Sequence, residues 1–286
     1  AASAQATAAM GKITYRRATG RARPQAVLAS VLPVLGSLTY AVGSCFFWPN
    51  LYANEVYGVL AASLFTTGSI FFIIAPLVDY LNMTYGIEQT RDPPAPEKET
   101  AQLEWLYIQQ MMRTQRANTI LYFVGGACFV AGSILFYPSM RTEATHGAWL
   151  YLTGCFIVFL GAMLAAFTAA ELRKTSSHAA YARSWWTLWW WSDEDVQIFS
   201  CSLYMVGNAI FAAGSICFFP KITLLGGVVI EDERLSEYAA AVLFIVGSPI
   251  FFVGACTDLL ALLREGTDKQ TEASALVQPH LQKSRV

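Results

Sequence analysis

Three copies of one short phrase constrain the fold of this 286-residue chain more than any other feature. The phrase reads Gly-Ser-x-x-Phe-aromatic-Pro and occupies 43–49, 132–138 and 214–220. Each copy ends a long apolar run, and a second apolar run with its own glycine follows. Repetition on this scale indicates one structural unit used several times. The chain is therefore predicted to contain three copies of a two-helix unit.

The charged residues are segregated, which identifies the apolar runs as membrane helices. Hydrophobic side chains make up 55% of the chain and charged ones 14%, unlike a soluble domain. Asp, Glu, Lys and Arg are missing from 24–54, 56–78, 117–140, 144–170, 196–220 and 238–257. A spanning helix needs about 20 apolar residues. The expected fold is all-α, with six transmembrane helices arranged as three antiparallel hairpins.

The basic residues predict the orientation of these helices. Of the 19 Lys and Arg residues, 16 lie in the N-terminal arm, in the connectors after the second and fourth helices, and in the tail. Only Arg141, Lys221 and Arg234 lie on the opposite side. Because basic residues concentrate in loops that are not translocated, both termini are predicted on this basic face. That face would meet cytosol, stroma or mitochondrial matrix.

The repeats and the charge pattern divide the chain into seven segments. In order, they are a basic N-terminal arm (1–24), repeat 1 (25–84), a linker with a surface helix (85–117), repeat 2 (118–174), a Trp-rich interfacial segment (175–195), repeat 3 (196–264) and a polar tail (265–286). The surface helix is predicted over 101–116, and a small β-hairpin over 222–230. The tail is predicted to be loosely ordered.

Small residues recur where the paired helices should touch. In the second helices they stand seven residues apart, which is nearly two helical turns and places them on one stripe. In lipid, close approach of small residues drives helix association. The glycines assigned to this packing are Gly36, Gly43, Gly68, Gly125, Gly132, Gly154, Gly161, Gly207, Gly214, Gly247 and Gly254. The alternative is a glycine-lined groove for a lipid or pigment tail.

Two acidic residues occupy matched positions in repeats 1 and 3. Asp79 and Asp258 each follow a second-helix glycine by eleven residues, and repeat 2 has Ala165 there. An ionisable residue near a membrane core is a candidate for function. Because these two lie at helix ends, where water and headgroups reach, an interfacial anchor is the favoured interpretation. Ion binding is the alternative.

A tryptophan cluster precedes the fifth helix. It contains five of the eight tryptophans, namely Trp185, Trp186, Trp189, Trp190 and Trp191. Indole rings prefer the headgroup level, so an aromatic belt is the simplest interpretation. Five rings within seven residues exceed an ordinary belt, which leaves room for a contact with a partner subunit or a pigment.

No pattern in the chain indicates catalysis or a metal site. The six cysteines all lie inside predicted helices, without a C-x-x-C motif, and are interpreted as small buried hydrophobes. None of the three histidines lies deep in a helix, which speaks against haem ligation. Nucleophile-elbow, zincin and P-loop motifs are missing from the sequence. An enzyme is disfavoured, and the net charge of −1 argues against a nucleic-acid partner.

The repeated motifs resemble a known family. The phrase over 131–139, followed by 148–154, is similar to the YrhK-like domain, a small membrane hairpin with a G-S-x-x-F-x-x-P-type first helix. The second half of that domain, L-F-x-x-G-S, matches 64–69 and 243–248, whereas repeat 2 departs with Tyr151 and Cys155. The resemblance implies three tandem copies and carries no known activity.

A three-repeat membrane chain also invites comparison with mitochondrial carriers. Their signature requires an acid two residues after the proline that ends each odd helix. Leu51, Met140 and Ile222 occupy those positions here, so the comparison fails.

These observations favour a non-catalytic scaffold subunit of a photosynthetic or respiratory complex. Its partners would be other membrane subunits and lipids, with no required cofactor, although chlorophyll or carotenoid contacts fit the tryptophan cluster. The arm over 1–20, rich in Ala, Ser, Thr and Arg, resembles organellar targeting sequence, and the alternative is an arbitrary start of the chain. The targeting interpretation favours the thylakoid or inner mitochondrial membrane. The alternative is a solute or ion transporter built from three parallel repeats.

Overall fold

The computed structural model describes the backbone of most of the chain. The described residues are 23–88, 99–175, 193–219, 222–223, 229–230 and 233–283, and side chains are described over 24–81, 113–140, 142–171, 195–219 and 235–263. The N-terminal arm up to residue 22, the proline-rich linker over 89–98 and the segment over 176–192 lie outside these ranges.

Six long helices form the body of the described structure. They are α1 (Arg23–Phe46), α3 (Glu55–Glu88), α4 (Glu99–Leu135), α5 (Ala144–Thr175), α6 (Asp193–Ile216) and α7 (Glu233–Lys283). Short elements complete the list: α2 (Pro49–Tyr52), a 3₁₀ helix (Pro138–Glu143), and the strands β1 (Ile222–Thr223) and β2 (Val229–Ile230). Each long helix contains a stretch apolar and long enough to cross a membrane: 24–46, 55–81, 113–135, 144–171, 195–216 and 235–263. The prediction of six membrane-spanning helices is confirmed at this level.

The connecting segments agree with the sequence in two places and differ in one. The surface helix predicted over 101–116 is part of α4, whose backbone runs without interruption from Glu99 into the third span. The predicted β-hairpin forms, with Ile222 paired to Ile230 in antiparallel register. The prediction of a loosely ordered tail was wrong, because α7 continues to Lys283. The tail is rich in Glu, Gln, Lys, Ala and Leu, which favour helix.

The long helices make a closed ring. Helix α1 packs on α3, α3 on α4, α4 on α5, α5 on α6, α6 on α7, and α7 returns to α1. Contacts therefore alternate between the two helices of one repeat and helices of neighbouring repeats. We call the end of the bundle that carries Pro49 and Pro138 the motif end, and the end that carries Asp79 and Asp258 the acid end.

Aromatic side chains fill the centre of the ring. The buried core contains Tyr40, Phe47, Phe65, Phe129, Phe136, Tyr151, Phe211, Phe244 and Phe251. Large apolar side chains also cover the outside, with Trp149, Phe156 and Phe167 each more than half exposed. This inverted surface fits a bilayer, where the outer face needs no polar cover.

Candidate functional site

The first residue of each motif, a glycine, closes the contact between the two helices of its own repeat. A Cβ atom placed on Gly132 would stand 2.5 Å from the Tyr151 ring, and one on Gly43 would stand 2.8 Å from the Phe65 ring. The corresponding distance from Gly214 to Phe244 is 2.9 Å. These approaches are shorter than van der Waals contact, so the positions have no room for a side chain.

The other packing glycines from the sequence also face the partner helix of the same repeat. A Cβ on Gly36 would meet the Gly68 carbonyl oxygen at 3.0 Å, and one on Gly154 would meet the Gly125 carbonyl oxygen at 3.0 Å. Gly247 lies against the Phe211 ring, at 2.6 Å. Protein atoms thus fill the glycine stripes in the described part of the chain, including the places where a bound lipid or pigment tail was the alternative.

The second residue of the motif, a serine, contacts a different repeat. The Ser44 and Ser248 hydroxyl oxygens lie 2.9 Å apart and join repeats 1 and 3. The Ser133 and Ser69 hydroxyl oxygens lie 3.3 Å apart and join repeats 2 and 1. Each pair joins a motif serine to a serine on the second helix of the neighbouring repeat. That second serine directly follows the second-helix glycine.

The third seam, between repeats 2 and 3, departs from this rule. Its motif serine is Ser215, which donates to the Phe211 carbonyl at 2.8 Å. The second-helix serine is replaced by Cys155, which is fully buried. A thiol is a weak hydrogen-bond donor and acceptor, so this seam lacks the pair of hydroxyl groups that the other two seams have.

Two tyrosines extend the hydroxyl contacts at the seam between repeats 1 and 2. Tyr40 lies 2.7 Å from the Ser69 oxygen, and Tyr151 lies 2.6 Å from the Ser133 oxygen. Both serines also donate to carbonyls four residues earlier, at 2.8 and 2.7 Å. Each hydroxyl carries one proton, so four protons cannot make all five contacts at once. The longest contact, Ser69 to Ser133, is the one left without a proton when both tyrosines donate.

The last repeated feature of the motif is the pair of aromatic residues before the proline. The two side chains of this pair point in different directions. The first member, Phe47, Phe136 or Phe218, turns inward, with ring centroids 5.9 Å apart for Phe47 and Phe136 and 5.0 Å for Phe136 and Phe218. A second layer beneath it joins Phe65, Tyr151 and Phe244 at 5.9–6.4 Å. These axial aromatic layers close the centre of the ring at the motif end.

The second member of the pair lies across the seam on the neighbouring repeat. Trp48 packs on Tyr238 with centroids 5.2 Å apart, and Phe219 packs on Trp149 at 4.7 Å. Tyr137 instead hydrogen-bonds Ser63, with oxygens 3.0 Å apart. From the sequence alone, the Gly-Ser-x-x-Phe-aromatic-Pro motif was associated with helix ends and with packing inside a hairpin. Its contacts between repeats were missed. The available signal was a serine kept inside an apolar run in every copy.

The two matched aspartates have different surroundings. The Gln115 side-chain amide donates to the Asp79 carboxylate at 3.0 Å, between α4 and α3. The Tyr204 hydroxyl donates to the Asp258 carboxylate at 3.2 Å, within repeat 3. Both aspartates are partly buried residues and lie close to the ends of their spans. The two aspartates have separate hydrogen-bond partners and do not form a pair with each other.

The predicted tryptophan cluster, Trp185 to Trp191, lies outside the described residues. The same is true of the side chains over 101–112, where only the helical backbone is described. Among the described residues, no group of three His, Cys, Asp or Glu side chains is placed to hold a metal ion. All six cysteines are free thiols.

A family model places the chain. The model for YrhK-like protein matches 26–83, 113–168 and 194–262, which is well over half of the chain. The protein therefore belongs to the YrhK-like family and carries three tandem copies of its unit. No curated protein and no solved structure matches the chain.

Proposed function

We propose that this protein is a non-catalytic integral membrane subunit that packs beside, and helps hold together, a larger organellar complex. A photosynthetic or respiratory assembly is the host that we favour, in a thylakoid or inner mitochondrial membrane. The observation that carries the proposal is the closed interior. The repeated motif residues contact one another, and the axial aromatic layers occupy the line along which a conduction path would run.

The outer surface supports a contact role. Helix α5 turns Trp149, Phe156 and Phe167 outward, with 56%, 64% and 63% of their surfaces exposed. Trp149 and Phe156 stand seven residues apart, which places them on one stripe of the helix. Rigid rings of this size can pack against a neighbouring helix or a pigment at a small entropic cost.

The finer arrangement belongs to the same proposal. Each repeat is an antiparallel hairpin, which is supported by Gly36 lying against Gly68 while Gly43 lies against Leu64 and Phe65. Both termini lie on the basic face, as the distribution of Lys and Arg favours. The Trp185 to Trp191 cluster and the helix over 101–116 then contact partner subunits, lipids, or bound chlorophyll or carotenoid on that face.

Purification in mild detergent tests the proposal. The wild-type protein should migrate in a native gel with a complex much larger than 31.4 kDa. Replacing Trp186, Trp189 and Trp190 together by Ala should release it while leaving it folded in the membrane. The matched control is Phe123→Ala, which removes an exposed aromatic ring that the proposal does not assign to a partner contact, and which should leave the protein in the complex.

Two outcomes would overturn the proposal. One is a wild-type protein that migrates alone after gentle solubilisation. The other is saturable solute flux by the isolated protein in liposomes, lost when Asp79 and Asp258 are neutralised, which would establish the transporter alternative.

A further inference from the structure

Two arginines lie where the third apolar span begins. Arg113 and Arg116 are three residues apart on α4 and are therefore neighbours on the surface of that helix. Arg113 is exposed and Arg116 is half-buried. The span itself covers 113–135, so both guanidinium groups belong to the boundary between the polar and the apolar part of the helix. Gln115, between them, contacts Asp79, which places the pair at the acid end of the bundle.

The two positive charges have no opposite charge beside them. Within the residues whose side chains are described, neither arginine forms an ion pair. The Asp79 carboxylate of the adjacent helix accepts from the Gln115 amide at 3.0 Å instead. An arginine stays protonated in proteins, and like charges one helical turn apart repel each other. A bound anion would relieve this repulsion.

The face of α4 that continues from the arginines is apolar and open. Ile120 follows Arg113 by seven residues and Arg116 by four, and 57% of its surface is exposed. Val124, one turn further along, is 42% exposed. This face therefore combines a cationic patch at the span boundary with an apolar surface inside the span. A phospholipid with a negatively charged headgroup has the complementary arrangement.

The other repeats show that the two-helix unit does not need these arginines. The first-helix glycines align Gly125 with Gly36 and Gly207. Counted from them, neither arginine position is basic in repeats 1 and 3, where the matched residues are Pro24, Val27, Asp195 and Ile198. The pair is thus a feature of repeat 2 alone, at a surface that the other helices of the ring leave open.

We propose that this face of α4 binds one anionic phospholipid. Its phosphate lies against Arg113 and Arg116, and its acyl chains run along the exposed surface that includes Ile120. Guanidinium groups bind phosphate oxygens in pairs, and basic sites at the ends of membrane helices are suited to acidic headgroups. The inference depends on α4 lying in a bilayer and does not depend on the proposed scaffold role.

Thermal unfolding of the full-length protein in a neutral detergent tests the proposal. Phosphatidylglycerol or phosphatidylcholine with the same acyl chains is added to the micelles. Because a ligand that binds the folded state raises its stability in a saturable way, we expect a larger rise in melting temperature with phosphatidylglycerol. The difference should disappear when Arg113→Gln and Arg116→Gln are combined. It should remain in Arg141→Gln, which removes a basic residue at the motif end.

Native mass spectrometry counts the bound lipid and does not depend on how stable a variant is. The wild-type protein should retain one phosphatidylglycerol molecule that the double glutamine variant loses. Combined Arg113→Lys and Arg116→Lys should retain it more weakly, since an ammonium group keeps the charge but cannot bind two phosphate oxygens as a planar fork does.

Three results would overturn the proposal. The first is an equal effect of the two lipids on the wild-type protein, as expected if the arginines only orient the chain. The second is a preference for phosphatidylglycerol that persists in the double glutamine variant, which would reflect general attraction to the basic face. The third is the same rise in melting temperature with inorganic phosphate alone, which would show that the arginines bind an anion without acyl chains.

Discussion

At the scale of the residue, the repeated motif is a set of contacts with separate targets. The glycine touches its own repeat, and the phenylalanine lies at the centre of the ring. The second aromatic residue touches the neighbouring repeat, as does the serine in two of the three copies. Each position therefore has a different tolerance for substitution. Because lipid offers little hydrophobic drive for helix association, the fit of these contacts decides whether the bundle forms.

A pair of glycine substitutions measures that fit. Gly132→Ala should destabilise the protein by about 1–3 kcal/mol, the usual cost of overpacking a core, because the new Cβ would stand 2.5 Å from the Tyr151 ring. Gly132→Leu should cost more. The control is Gly254→Ala, whose Cβ would meet nothing closer than 3.4 Å and which should be neutral or stabilising, since Ala favours helix. Unfolding of detergent-purified variants in a titrated denaturing detergent would give the order.

We also expect a loss of stability for Gly247→Leu and a mild effect for Cys155→Ala. A Cβ on Gly247 would lie 2.6 Å from the Phe211 ring, so this variant should behave as Gly132→Leu does. Normal accumulation and stability of both leucine variants would contradict the close-packing interpretation.

At the scale of the element, the seams between repeats show what the sequence could and could not predict. Apolar length located the six spans, and heptad-spaced small residues located the contacts inside each repeat, because both signals are local along the chain. The serine pairs join residues 64 and 204 positions apart. No local pattern in a single sequence indicates which serines from distant parts of the chain will lie together. The surroundings of Asp79 and Asp258 differ for the same reason: they depend on which helix of another repeat lies opposite.

The seam between α5 and α6 lacks the second-helix serine that the other two seams contain, and a substitution can supply it. Cys155→Ser restores the serine that repeats 1 and 3 carry at this position and should allow a hydroxyl pair with Ser215. The expected change is a stabilisation of about 0.5–1.5 kcal/mol, the usual net value of one hydrogen bond. Cys155→Ala removes the thiol without adding a donor and should be mildly destabilising.

The comparison needs a variant that separates the new hydrogen bond from the change in volume. In the background of Ser215→Ala, the advantage of Ser over Ala at position 155 should shrink. An equal advantage in both backgrounds, measured as a double-mutant cycle, would show that no pair forms across this seam.

At the scale of the whole molecule, three units enclose one interior. The ring closes only when α7 packs on α1, where Ser44 meets Ser248 and Trp48 meets Tyr238. The first and last repeats are therefore neighbours in space although they are far apart in sequence. If all six apolar helices cross the membrane, as proposed, the two ends of the chain are expected on one side, whichever way the protein is inserted.

That relation is tested by the accessibility of single cysteines. In a background with the six native cysteines replaced, Ser3→Cys reports on the N-terminal arm and Ser139→Cys on the exposed connector between α4 and α5. A membrane-impermeant thiol reagent added to sealed vesicles should label one site, and addition after inversion or permeabilisation should label the other. The basic-residue distribution predicts that Ser3→Cys reacts from the cytosolic, stromal or matrix side. Since the two sites are separated by three spans, labelling of both from the same side would refute the six-span topology, whereas exchange of the two sides would refute only the orientation.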